Sequence, residues 1–290
     1  MAEVLIGCCG WNYGDRFEKG GWVGSFYSDS KTKRLSYYSR VFPVAEFDAI
    51  FYEKFYSKMG TGTFYGMVKA TPEQFEFSVK VPETITHERR LDLKKGSIEA
   101  FGEYLDRISP LKSANKLGAI LIQLPPSFSV QYFRKVESFL DKLPRGYDYA
   151  VEFRHPSWQT EGPWELLNSY NVAAVLTDSP EQGLQFLSDV TVTADHVFIR
   201  LHGRKKGHWY DYLYSQEELK PWAEKVKTIQ EIPKVKKLRV LFNNHTRGSA
   251  PLNAIQFREM LGEKLSEEEK AAKARISDAV SSLKEQQKFS

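Results

Sequence analysis

Eight short apolar or β-branched runs alternate with amphipathic stretches along this chain, and that repeat restricts its fold more than any other feature. The runs are Val4 to Gly10, Val44 to Phe51, Phe75 to Val81, Gly118 to Leu124, Asp148 to Arg154, Val172 to Asp178, His196 to Gly203 and Leu238 to Asn244. Each is bounded by Gly, Pro or charge, as the strands of a buried parallel sheet are. Between them, Ser97 to Leu111, Val130 to Leu143, Gly162 to Tyr170 and Leu219 to Ile232 carry apolar residues near the i, i+3, i+4 spacing of a helix laid on a sheet. Eight such units in about 260 residues predict an α/β fold of the TIM (β/α)8 barrel class in a single domain. A doubly wound open sheet would carry a Gly-rich phosphate turn after its first strand, and "GCCGWNYG" lacks that fingerprint. Glu53 to Thr71, rich in Gly, Thr, Tyr and Lys, reads as a long excursion over the barrel mouth. Beyond Leu265, Ser266 precedes three glutamates and strong helix formers. The expected organisation is therefore a barrel over 1–265 and a C-terminal helical extension over 266–290, solvated rather than part of any site.

The charge balance narrows the ligand class. Lys and Arg number 41 against 37 Asp and Glu, a net charge of +4, which permits an anionic ligand without demanding nucleic acid. Cys8 and Cys9 are adjacent, where a mutual disulfide would be strained and a four-ligand zinc site lacks ligands. A reducing, cytoplasmic setting is the expectation. "MAEVLIGCCGW" has Glu3 where a signal peptide needs positive charge, and no run approaches the roughly 20 apolar residues needed to span a bilayer, so no membrane partner is expected.

Active sites of parallel barrels lie at the C-terminal ends of the strands. There the chain puts Trp11, Glu46 and Asp48, Lys80, Gln123, Glu152 and Arg154, Asp178, Arg200 and His202, and Asn243, Asn244 and His245. The ionisable groups inside strands are expected almost wholly in the C-terminal halves, with His87, His155, His202, His208 and His245 at or after strand ends and His196 alone among the histidines at a strand start. Because side chains alternate along a strand, Glu152 shares a face with Arg154, and Arg200 with His202. Turned towards the helices these charges would lack partners at a cost of several kcal/mol, so an inward orientation is expected. They could neutralise one another as a structural network, and Lys80 could pair with Asp48 or hold substrate. Arg200 suits anion binding better than reaction, since guanidinium stays protonated and offers forked donors. His202 is the better histidine for proton transfer or metal ligation, and His155 before Pro156 for anchoring a loop. Trp11, Trp158 and Trp209 follow strands and could wall a pocket, although packing is the commoner role.

"GCCGWNYGDRF", "AEFDAIFYE", "FSVKVPETITH", "LIQLPPSF", "AVEFRHPSW", "FIRLHGR" and "LFNNHTRGSAPLNA" together resemble the successive motifs of the YecE-like family, a domain of unknown function, over about residues 4 to 261. The resemblance implies a TIM barrel, with a suggested relationship to endonuclease-IV-type and sugar-isomerase-type barrels. The family's polar positions map onto Trp11, Glu46, Lys80, His87, Gln123, Glu152, Arg154, His155, Trp158, Asp178, Arg200, His202, Asn243, Asn244 and His245. Asp48 stands where many members have Asn, adding a negative charge to the mouth, and the tail beyond Leu265 lies outside the motifs.

Two functions compete at this stage. The favoured one is a hydrolase or lyase acting on an anionic, phosphate-containing substrate such as a nucleic acid or sugar phosphate. Glu152, His202 and Asp178 would be its catalytic groups, and Trp11, Glu46, Asp48, Lys80, His87, Gln123, Arg154, His155, Trp158, Arg200, Asn243, Asn244 and His245 would line the substrate. A divalent metal is compatible with ligands drawn singly from separate strands, though no HxH, HExxH or DxD motif occurs. The alternative is a non-catalytic binder of nucleic acid or an anionic metabolite. It would use the same mouth and the loop Gly203 to Ser215, where Arg204, Lys205 and Lys206 precede Trp209 and three tyrosines.

Overall fold

The computed structural model describes residues 1–288 apart from 182, 190 and 191, and side chains up to 283. Eight parallel strands close into one barrel: β1 (Glu3–Cys9), β2 (Val44–Phe47), β3 (Glu76–Lys80), β4 (Leu117–Gln123), β5 (Asp148–Glu152), β6 (Ala173–Asp178), β7 (His196–Leu201) and β8 (Lys237–Phe242), with β8 pairing back onto β1. Several end earlier than the apolar runs suggest. β2 stops at Phe47 and turns into a 3-10 segment over Ala49–Phe51, while Arg154, His202 and Asn243 stand just past their strands.

The outer layer holds α1 (Arg34–Val41), α2 (Glu53–Tyr56), α3 (Thr61–Lys69), α4 (Ser97–Ser113), α5 (Phe133–Lys142), α6 (Glu161–Ser169), α7 (Gln216–Gln230) and α8 (Ser249–Met260). The expected mouth excursion over Glu53 to Thr71 is in fact two helices. Its longer one, α3, buries Phe64 and Met67 and packs beside α4 as the barrel's second outer helix. Between β6 and β7 the regular element among the described residues is the 3-10 turn Gln185–Ser188. The Ser215 side chain and Glu218 form a reciprocal capping box at the start of α7.

The C-terminal helix, α9 (Glu267–Lys288), starts where Ser266 predicts, with Glu269 N donating to Ser266 Oγ at 3.2 Å and Ser266 N to Glu269 Oε2 at 2.6 Å. It is not a free extension. Ala272 and Ile276 are fully buried, Glu269 pairs with Arg258 of α8, and Lys273 Nζ lies 2.6 Å from Glu259 Oε2. No described helix is long and apolar enough to cross a membrane.

In parallel pairs facing residues share a side, so the register places the lumen residues directly. Cys9 faces Glu46, Gln123 faces Glu152, Thr177 faces Arg200 and Arg200 faces Leu241. The lumen is filled in layers, as barrel interiors are. Its middle is apolar, with Leu5, Val44, Leu121, Ala150, Val175, Phe198 and Leu241 in one buried cluster.

The bottom layer corrects the expectation that strand charges gather at one rim. Glu76, Asp148 and Arg239, all in the N-terminal halves of their strands, meet there. Arg239 Nη2 lies 3.1 Å from Glu76 Oε2 and 2.9 Å from Asp148 Oδ2, and Lys237 Nζ lies 2.9 Å from Glu76 Oε2. Burial pushes the Glu76 carboxyl up, but Arg239 overcomes it and holds it below its ordinary value. Gly118 on the neighbouring strand leaves the room, because a Cβ there would overlap the Glu76 carboxyl. His196 belongs to the same end, its Nε2 3.0 Å from Tyr149 O.

Candidate functional site

At the top of the lumen, Arg200 joins two acids from opposite parts of the barrel. Its Nε and Nη2 donate to Glu46 Oε2 and Oε1 at 2.9 and 2.7 Å, and its Nη1 donates to Glu152 Oε2 at 2.5 Å. Both carboxylates are fully buried and Arg200 is 2 % exposed, so the forked guanidinium supplies the compensation that buried acids require. Cys9 Sγ completes the cluster, 3.4 Å from Glu46 Oε2, and burial beside Glu46 keeps that thiol protonated.

Arg154 donates from Nε to Glu152 Oε1. Burial pushes the Glu152 carboxyl up, but Arg154 and Arg200 together hold it well below the usual carboxylate range. His202 is fully buried beside this pair. Its Nε2 lies 3.1 Å from Arg154 Nη2 and 3.3 Å from Glu152 Oε1, and its Nδ1 lies 2.9 Å from the Asn243 amide. Burial, then the Arg154 charge, lowers its pKa to about 3, so the imidazole is neutral at pH 7. The two groups that the sequence singles out for proton transfer are thus locked, one as a permanent carboxylate and the other as a neutral ring whose nitrogens both have partners.

Above this network is a narrow cavity of about 80 Å³ lined by Asp48, Tyr52, Lys80, Gln123, Arg154, Arg200, Tyr210, Asn243 and His245. A larger hollow of about 410 Å³ opens between the loops following α5 and α6, at the barrel's other end, and holds none of these groups. Two lining residues titrate nearer neutrality. Burial, then the neighbouring Glu46 charge, raises Asp48 from 3.8 to about 6. Burial, then Arg200, lowers Lys80 from 10.5 to about 8. Among the described residues neither makes an ion pair within 4 Å, so of the two roles open to Lys80 the bridge to Asp48 is not formed. Lys80 Nζ instead sits 3.6 Å over the centre of the Phe51 ring.

The remaining predicted residues divide between the cavity and its frame. His245 is stacked between Tyr13 and Tyr210, at 4.5 and 5.1 Å, and burial lowers it to about 4. His87 stands edge-on to Phe51 at 4.9 Å, outside the cavity lining, and burial, then Lys80, lowers it to about 4. Gln123 lines the cavity and donates to Leu124 O. Asn244 faces away and ties Tyr212 O to Asn253 Oδ1. His155 caps the turn after β5 by accepting from Ser157 N at 3.1 Å, the anchoring role its Pro156 neighbour suggests. Trp11 packs on Phe47 and Phe77, and fully buried Trp158 stacks on Phe153 and donates to Phe128 O, so neither walls the pocket. Trp209 does reach the mouth, with the Arg154 guanidinium 5.3 Å from its ring centre.

Asp178 is the one proposed catalytic residue that the fold separates from the others. Inward parity on β6 belongs to Ala173, Val175 and Thr177, so Asp178 points out and accepts from Arg204 Nε at 2.8 Å. Its partners also alter the reading of the basic loop. Arg204 further binds Glu218 at 3.2 Å, and Lys205 binds Asp211 at 2.7 Å, leaving far less free positive charge than "GRKK" suggests.

A metal does not fit the donors. Glu46 and Glu152 are engaged by guanidinium groups, both nitrogens of His202 have partners, and among the described residues no group of three or more His, Cys, Asp and Glu side chains is arranged to hold an ion.

Sequence reasoning missed Cys9, Tyr52 and Tyr210. Cys9 shares inward parity with the strand-two acid that follows it, a signal available from alternation. Tyr52 and Tyr210 are brought in by loops.

The family model for "Protein of unknown function DUF72" matches residues 5–276, which runs from within β1 through the rest of the barrel and reaches into α9. The chain belongs to the DUF72 family. Among relatives, UPF0759 protein YunF of Bacillus subtilis (strain 168) is 30% identical over 285 residues, covering 89% of this chain and 94% of that protein. UPF0759 protein YecE of Escherichia coli (strain K12) is 34% identical over 114 residues, 38% of this chain and 40% of YecE. The crystal structure of a DUF72 family protein from Thermotoga maritima MSB8 superposes with a TM-score of 0.74 at 33% identity, covering 90% of this chain and all of that one. One from Enterococcus faecalis V583 gives 0.67 at 23% identity over 91% and 99%, a likeness of fold. The (β/α)8 barrel is thus common to DUF72 proteins, and the cavity described above is built from its strand ends.

Proposed function

We propose that this DUF72 protein is an enzyme, a lyase or hydrolase, acting on a small anion at the C-terminal mouth of the barrel. The observation that carries the reading is Lys80, a buried cation that lines a narrow cavity with no carboxylate within ion-pairing distance among the described residues. An unpaired buried ammonium is costly, and a ligand that neutralises it recovers that cost. Arg154, which offers outer guanidinium donors beside its bond to Glu152, is the second anion contact, suited to paired oxygens of a carboxylate or a phosphate. Proton transfer falls to Asp48 and Lys80, whose pKa values of about 6 and about 8 bracket neutrality, rather than to Glu152, His202 or Asp178. Glu46, Arg200, Glu152 and His202 form the rigid frame behind the reacting groups. The cavity's small size favours a free phosphate ester or carboxylate over a polymer, and the paired charges of the Arg204 loop withdraw the main support for nucleic acid.

The test is calorimetric titration with inorganic phosphate, small phosphate esters and short-chain carboxylates, followed by turnover assays on those that bind. Binding weakened at least about tenfold in Arg154→Ala and Lys80→Ala, the scale of a lost charge-assisted contact, is the expected result. Absence of binding by any of these anions at millimolar concentration in the folded wild-type protein overturns the reading.

A further inference from the structure

We propose that Lys80 is a nucleophile that condenses with the carbonyl carbon of a small oxo-acid anion, forming an imine as the enzyme's covalent intermediate. This deepens, and rests on, the anionic-substrate reading of the same cavity. It specifies the substrate class as an anion bearing an aldehyde or ketone, and the reaction as lyase rather than hydrolase.

The geometry distinguishes Lys80 from an ordinary anion-binding lysine. Anion contact at this mouth is already available from Arg154, whose donors are fixed by Glu152 on one side and Trp209 on the other. A lysine paired permanently with a carboxylate of its own protein is held as ammonium, which has no lone pair to attack with. Lys80 has no carboxylate within 4 Å among the described residues, and its Nζ rests 3.6 Å over the face of Phe51, an apolar support that stabilises a cation weakly and accommodates the free amine. The lowered pKa of about 8 agrees with this, since a useful fraction of the side chain is then neutral amine near pH 7. Lys80 ends β3 and points into the lumen, where the barrel holds it more rigidly than a loop would.

The chemistry balances without any external oxidant or reductant. The neutral Nζ attacks the carbonyl carbon, a C–N bond forms, and the C=O π pair moves to oxygen. That oxygen takes the proton released by nitrogen, then a second from the Asp48 carboxyl. The C–O bond breaks, water leaves, and a protonated imine faces the Asp48 carboxylate. The imine can then accept the electron pair of a bond broken next to the former carbonyl carbon, and hydrolysis returns Lys80. The Gln123 and Asn243 amides and the Tyr52 and Tyr210 hydroxyls line the same space and supply polar contacts to the carbonyl and hydroxyl oxygens.

The experiment incubates the full-length protein with glyoxylate or pyruvate, reduces it with sodium borohydride, and maps adducts by peptide mass spectrometry. A parallel calorimetric titration uses lactate and inorganic phosphate, which carry the anion without a carbonyl. The expected result is reduction-dependent modification at Lys80 at concentrations that leave the other lysines unmodified. It is abolished in Lys80→Arg and Lys80→Met, with circular dichroism confirming that at least one variant is folded. Modification spread evenly over surface lysines overturns the proposal. No adduct at Lys80 while lactate or phosphate still binds overturns the imine and leaves the anion pocket standing. No adduct and no anion binding overturns both.

Discussion

Replacing Asp48 by Asn should make the protein more stable at neutral pH and at the same time impair its chemistry. Asp48 is half-buried close to Glu46, and its carboxyl is raised from 3.8 to about 6, burial first and the Glu46 charge second, with Lys80 and Arg200 offsetting only part. A folded-state pKa above the unfolded one means that ionisation opposes folding. The penalty is absent below about pH 4, grows as pH rises, and is complete above about pH 6. Raising a carboxyl from 3.8 to about 6 corresponds to a cost on the order of 3 kcal/mol once the group is fully charged. The neutral amide of Asn carries no such cost. Urea unfolding should therefore find Asp48→Asn more stable than wild type by roughly 2 to 3 kcal/mol at pH 7.5, with the advantage shrinking to about 1 kcal/mol near pH 4.5. Equal stability at both values, or a loss at pH 7.5, would refute the reasoning that a desolvated charge is kept here against folding. A gain of the same size at both pH values would point instead to repacking.

Three further outcomes follow from the frame. Arg200→Met removes every guanidinium bond to the Glu46 carboxylate and one to Glu152, and should cost about 3 to 5 kcal/mol at pH 7; a loss under about 1 kcal/mol by urea titration would contradict it. Gly118→Ala, which drives a methyl into the Glu76 carboxyl at the opposite end, should cost about 1 to 3 kcal/mol in the same assay while leaving anion binding at the mouth intact. Ile276→Asp buries a charge under α9 and should lower the thermal midpoint by several degrees, as differential scanning calorimetry would register; an unchanged midpoint would mean that α9 is not docked.

The barrel was legible because its physics is local. Each strand is buried on both faces, so Val4 to Gly10 or Gly118 to Leu124 reads as an unbroken apolar run, and the inward facing of Glu152 and Arg200 follows from alternation alone. Which charges meet is not local. Glu46 and Arg200 are 154 residues apart in sequence, and their contact depends on barrel closure and stagger. Choosing Glu152 and His202 for catalysis is the consequence: their types suggest reactivity, and only their partners reveal that both are immobilised. Asp178 is separated from the mouth for a smaller reason, since its even position on β6, one past the inward Thr177, turns it outward beside Arg204. The same parity count could have found the lower network, because Glu76, Asp148 and Arg239 alternate with apolar neighbours as the upper acids do. Tyr52 and Tyr210 carry no periodic signal, and the docking of α9 depends on the small patch around Ala272 and Ile276 rather than on a long apolar stripe.

Lys80 decides whether the mouth is a reactive site or an inert charge network. Competitive labelling of the native protein with trace acetic anhydride across a pH series, read by peptide mass spectrometry, would give the titration of each lysine. Half-maximal reactivity of Lys80 near pH 8, shifted upward in Arg200→Met, is the predicted result. Titration of Lys80 near 10.5 with the other lysines, unaffected by Arg200, would contradict it.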